Sequence, residues 1–110
     1  MKLEDLPLSA IDWNQLPRTT AACSSGAATM QVQQLGATQL RIVEYGVGYL
    51  ADHWCSKGHI IHVIAGALVL EHRDGRSFRL TEGMSYAVAD DDGPPHRVSC
   101  ERGATVFIVD

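Results

Sequence analysis

From residue 38 to the end, short runs rich in β-branched and aromatic residues recur between glycine-bearing turns, with no helical stretch between them. "TQLRIVEYG" at 38–46 is the first, and "YLADHWC" at 49–55 follows. "HIIHVIAG" and "ALVLEHRDG" then lie on either side of Gly66. "RSFRLTEG", "MSYAVADDDG", "HRVSCERG" and "ATVFIVD" complete the series. No window carries an apolar repeat at helical spacing beyond about two turns. Strands at this spacing predict an all-β sandwich or small barrel. "RDGR" at 73–76 reads as a tight hairpin, with Asp-Gly supplying positive φ angles. Glu82-Gly83 and Arg102-Gly103 are further turn signals.

Residues 1–37 have a different texture, mixing small polar residues, proline and glycine. They read as an N-terminal arm with one or two short strands, packed on the barrel or on a partner, and 38–110 as the barrel. At 110 residues the chain is one domain. "ATVFIVD" is apolar on both faces of the pleat, and "IIHVIAGALVL" nearly so. A strand in a small sandwich has one wet face, so two dry faces call for a cover. A homodimer is the economical cover; the arm folded over the sheet is the alternative.

Charge excludes some partners. The net charge is −4 and no Lys/Arg cluster occurs, which argues against nucleic acid and anionic membranes. The 60–70 apolar run is too short to span a bilayer. "MKLEDLPLSAIDW" has early acids and no apolar h-region, so it does not read as a signal peptide. Three cysteines do not make a disulfide framework, so the expectation is a cytoplasmic protein with reduced thiols.

"HWCSKGH" at 53–59 is the candidate site. In an extended strand, residues i and i+2 share a face about 6.6 Å apart. On that geometry His53 and Cys55 face the same way, "SKG" turns the chain, and His59 opens the next strand. His96, after "DDDGPP", can reach the same interior. Imidazole and thiolate suit Zn²⁺, Fe²⁺, Ni²⁺ or Cu rather than Mg²⁺ or Ca²⁺. No CxxC knuckle is present, so this is not a zinc-finger pattern. The alternative is a set of hydrogen-bonded histidines lining a barrel mouth.

These segments resemble the small cupins, conserved β-barrel proteins of the RmlC-like jelly-roll type. Their first motif is G-x₅-H-x-H-x₃₋₄-E-x₆-G. Here Gly48 is followed by four residues and His53, Cys55 stands for the second His, His59 stands for the Glu, and six more residues lead to Gly66. For the second motif, G-x₅-P-x-G-x₂-H-x₃-N, Gly83 matches and "GPPH" supplies Gly93 and His96; Cys100 replaces the closing Asn. "ADHWCSKGHI" and "GMSYAVAD" also resemble the DHCW-motif cupin-fold subgroup. The resemblance implies a single-domain cupin jelly roll of two antiparallel sheets. It implies a divalent metal held by His53, Cys55, His59 and His96, with Zn²⁺ ahead of Fe²⁺ and Ni²⁺. Four ligands would make a closed structural site; three histidines without Cys55 would leave positions open for chemistry.

Two main functions stand side by side. One is a metal-dependent oxygenase or isomerase acting on a small polar molecule in the barrel. The other is a non-enzymatic metal or small-ligand module, with a structural-zinc cupin behind both. Among the remaining residues, His62 has the parity of the outer face and His72 reads as solvated. Asp90, Asp91 and Asp92 read as an acidic surface loop. Trp54 reads as core or interface packing. Tyr86 and Met84 are candidates for the cavity wall, and Tyr49 for stacking on a ligand. Arg41 and Arg97 read as surface groups, Cys23 and Cys100 as inert. Asp52 and Glu44 are the only carboxylates near the motif.

Overall fold

The computed structural model describes residues 5–91 and 93–110; Asp92 of the acidic loop lies outside them. Among the described residues, nine antiparallel strands follow a 3₁₀ turn at Trp13–Gln15. They are β1 (Thr19–Ala22), β2 (Ala27–Leu35), β3 (Thr38–Tyr45), β4 (Tyr49–Leu50), β5 (His59–His72), β6 (Ser77–Thr81), β7 (Ser85–Val88), β8 (His96–Cys100) and β9 (Ala104–Val109). The chain is all-β, and among the described residues no helix is long and apolar enough to cross a membrane.

The strands make one curled sheet whose two halves share β5. The first half of β5 pairs with β7 and β9; its second half pairs with β6 and β8. The shift falls at a bulge between Val63 and Ala65 and at Gly66. Gly66 has φ +79, and a Cβ there would run into the carbonyl of Gly103 on the turn before β9. An extra residue in a strand reverses the facing of everything after it. Ile61 and Val63 point inward before the bulge; Leu68, Leu70 and His72 point inward after it.

The core is built from these residues with Ala28, Val43, Leu80, Cys100, Ala104, Val106 and Ile108. Cys100, at the position of the expected motif Asn, sits inside this core at 2% exposure, its thiol donating to the carbonyl of Ala67.

β2 runs along the whole of β3, from Ala28↔Tyr45 to Leu35↔Thr38. The 37/38 boundary thus falls in the turn of a hairpin, and residues 27–35 are part of the sheet. Residues 12–16 lie over the outer face. Trp13 packs edge-on against Phe107 at 6.3 Å. The Gln31 amide donates to the carbonyls of Trp13 and Leu16. The arm therefore covers one part of the dry face of β9.

The hairpin at 73–76 forms, with Gly75 at φ +95. Asp74 does not take the positive φ expected of an Asp-Gly turn. Its carboxylate instead accepts from the Arg76 backbone N–H at 3.0 Å.

Candidate metal centre

Cys55 lies outside the named strands but is bridged to the first residue of β8. Its N–H donates to the His96 carbonyl at 2.7 Å, and the His96 N–H donates back at 2.9 Å. That reciprocal pair brings positions 55 and 96 together across 41 residues. His59 opens β5 on the inner face, two positions before Ile61. Cys55 Sγ, His59 and His96 offer ligand atoms that all lie within 4.8 Å of one another. A tetrahedral ion with bonds of about 2.0–2.3 Å holds ligands roughly 3.5 Å apart, so a contraction of about 1 Å closes the set.

The hydrogen bonds leave the right atoms free. His59 Nδ1–H donates to Asp110 Oδ2 at 2.9 Å, which turns the Nε2 lone pair toward Cys55 Sγ, 3.7 Å away. The Lys57 backbone N–H donates to Cys55 Sγ at 3.3 Å, a contact that favours the thiolate. His96 is 3% exposed, and its Nε2 has no partner among the described residues. The two rings stand nearly perpendicular, centroids 5.1 Å apart.

Burial, with His59 and His72 nearby, pushes the His96 pKa down to about 4. Burial also lowers that of His59, against the pull of Asp110. Both imidazoles are therefore neutral at neutral pH, as ligation requires. A buried unpartnered nitrogen, a thiol and a carboxylate-oriented imidazole form a donor set that fits a borderline divalent ion such as Zn²⁺.

His53 is not part of this group. Its side chain is 77% exposed, with Nδ1 2.6 Å from Asp52 Oδ1. The period-2 argument assumed a strand through 53–55. Residues 52 and 53 form a bend, so the parity between His53 and Cys55 does not apply. His53 and Asp52 instead edge the mouth of the cavity. Glu44 is on the surface, paired with Arg18.

Several side chains stand elsewhere than the sequence suggested. His72 is buried rather than solvated, because the β5 bulge reverses its parity. Its Nδ1–H donates to the Pro94 carbonyl at 3.0 Å, so Nε2 accepts from the Tyr86 hydroxyl at 2.8 Å. Trp54 is outside the core cluster and carries the guanidinium groups of Arg97 and Arg73, at 4.4 and 5.4 Å. Arg41 faces the interior and bonds Asp110 Oδ2 at 2.5 Å, rather than lying on the surface. Met84 is exposed. His62 is on the outside as its parity required, against Ser85.

Asp110 was missed in the sequence, although Ala104, Val106, Ile108 and Asp110 share one face by simple alternation. Arg41 carried the same signal with Val43 and Tyr45.

The three donors open onto a cavity of about 270 Å³. Met30, Tyr45, Tyr49, Ile61, Val98 and Ile108 give it a mainly apolar wall. Tyr45 and Tyr49 pack with ring centroids 4.6 Å apart. Burial raises the pKa of both, that of Tyr45 to about 12, so both phenols stay protonated. The Cys23 thiol donates to the Tyr49 hydroxyl at 3.4 Å.

No protein-family model and no curated protein matches the sequence. Solved structures do match. The polyketide cyclase RemF from Streptomyces resistomycificus superposes with TM-score 0.74 at 17% identity, over 94% of this chain and 78% of that one. An RmlC-like cupin from Shewanella frigidimarina gives 0.70 at 16%, over 96% and 91%. The chain has the cupin fold. Ectoine synthase from P. lautus, at 0.71 and 15% identity over 93% and 76%, is a further neighbour. At these identities the likeness carries the cupin architecture and nothing finer.

Proposed function

We propose that this cupin binds a divalent transition metal through Cys55, His59 and His96, and that the ion faces a cavity for a small molecule. The observation that carries the reading is the convergence of those three donors within 4.8 Å at the cavity wall. Zn²⁺ suits a set with one thiolate best, with Fe²⁺ and Ni²⁺ behind. With His53 at the mouth, three protein ligands leave a position open, which supports ligand binding or chemistry over a closed structural site. When bound, the ion would supply Lewis-acid polarisation of a ligand oxygen. Asp110 would hold the His59 tautomer, and Tyr45 and Tyr49 would donate hydrogen bonds rather than accept protons. Reduced thiols suit a cytoplasmic setting. Placement in the DHCW-motif subgroup belongs to the same proposal, since Asp52, His53 and Cys55 line this cavity.

Turnover by an oxygenase or isomerase draws support from neighbours named as a cyclase and a synthase. The non-enzymatic reading has its own support. Apart from the three donors, His53 and Asp52 at the exposed mouth are the only candidate bases among the described cavity-lining residues. Elemental analysis of untagged protein tests the metal. The expected result is about one ion per chain, lost in His96→Ala and Cys55→Ser and kept in His53→Ala. Wild-type protein that retains no zinc, iron or nickel after loading and desalting overturns it, as does His96→Ala with full metal content.

A further inference from the structure

The cavity holds one guanidinium whose pairing is incomplete. Arg41 shares the inner face of β3 with Val43 and Tyr45, and its sheet partners are Val32 and Ile108. Its Nη2 is held by Asp110 Oδ2, the oxygen that also receives His59 Nδ1–H. That shared oxygen fixes the guanidinium two hydrogen bonds from the His59 ring. Arg41 Nε is buried and has no partner among the described residues. A buried donor without an acceptor costs about 1–3 kcal/mol, so it is a position where an outside acceptor is favoured.

We infer that Arg41 receives the carboxylate of a small organic acid with an apolar, aromatic-sized body, seated beside Cys55, His59 and His96. The inference rests on the reading of this cavity as the ligand site and names its ligand class. A guanidinium offers a planar fork that a carboxylate accepts with two oxygens. Around the cavity the cations Arg41, Lys57 and Arg97 outnumber the carboxylates of Asp110 and Asp52, a balance that favours an anion. Arg41 and Lys57 both lie near the single carboxylate of Asp110, Lys57 Nζ at 3.9 Å. Apart from Cys23, Arg41, Asp52, His53, Arg97 and the three donors, the wall is apolar, with Tyr45 and Tyr49 presenting their rings. A sugar would leave most of its hydroxyls unpaired there, and a phosphate dianion would lose more hydration than one guanidinium returns. At about 270 Å³ the cavity lies at the small end for ligand sites, which suits a molecule of the size of benzoate or phenylacetate.

Calorimetric titration of the full chain with benzoate, phenylacetate and the neutral isostere benzamide tests this, with metal content measured on the same samples. The acids are expected to bind at least roughly tenfold more tightly than benzamide. Arg41→Gln should remove that preference by weakening the acids more than benzamide. Arg41→Lys should recover part of the preference. Equal binding of benzoate and benzamide by wild-type protein overturns the inference, as does binding of neither, or an unchanged preference in Arg41→Gln. The wild-type comparison needs no variant, so a folding defect in Arg41→Gln does not shelter the idea. Metal bound without an acid preference ends this inference alone; an acid preference in protein that binds no metal ends the metal reading alone.

Discussion

At Cys55 the backbone and the side chain do separate work. The backbone pairs with His96 and sets the distance between the two donors, while the thiol receives the Lys57 N–H. Asp110 matters in a similar way, since it orients the His59 ring from the side away from the other two donors. Such carboxylate partners typically contribute about 10- to 100-fold to metal affinity. Asp110→Asn should therefore weaken zinc binding by that factor in a chelator competition, whereas His53→Ala should change it little. Retention of wild-type affinity in Asp110→Asn would remove Asp110 from the site. His96 also predicts a pH response in the metal-free protein. Its folded pKa of about 4 lies below the ordinary 6.5, so between those values the unfolded chain binds the extra proton. The contribution is complete above pH 6.5 and is lost as pH falls toward 4, by at most about 1.4 kcal/mol per pH unit. Denaturant melts across that window should show the decline, and His96→Gln should flatten it.

Among the elements, β5 decides the most. One bulge and one glycine let a single strand serve both halves of the sheet and place His59 and His72 on the same interior. Gly66 is bound to its role by a positive φ and by the Gly103 carbonyl, while Gly75 has a positive φ with open space around it. Gly66→Ala should thus cost about 3 kcal/mol, adding displacement of the β8–β9 turn to backbone strain. Gly75→Ala should cost about 1 kcal/mol. Equal effects in urea melts would show that the close approach at Gly66 has no energetic weight. The turns around Gly75, Gly83 and Gly103 were legible in the sequence because each uses a local glycine signal. The bulge was not, because it depends on how β9 lies against β5. His72 read as solvated because it precedes the Arg73-Asp74-Gly75 turn; the bulge turns it inward instead.

For the molecule as a whole, the arm covers only part of the dry outer face. The Trp13 segment lies on Phe107, but Ile60 and Ile64 on β5 remain about two-fifths exposed. A second copy of the chain over that strip is the homodimer expected from the apolar pattern. Light scattering should give about twice 12.0 kDa, and Ile64→Arg should shift the protein toward the monomer. A wild-type monomer at roughly 100 µM would leave the arm as the only cover.

Alternating apolar runs and glycine turns are local properties, and they were enough to determine an all-β chain; the motif resemblance at 48–66 and 83–96 added the cupin fold. Facing across a bend and at a bulge is not local. Only the closed sheet could decide that His53 stays at the mouth, that His72 turns inward, and that Arg41 and Asp110 meet His59. Each of those placements depends on register between strands far apart in the chain, and register is set by packing of the whole barrel.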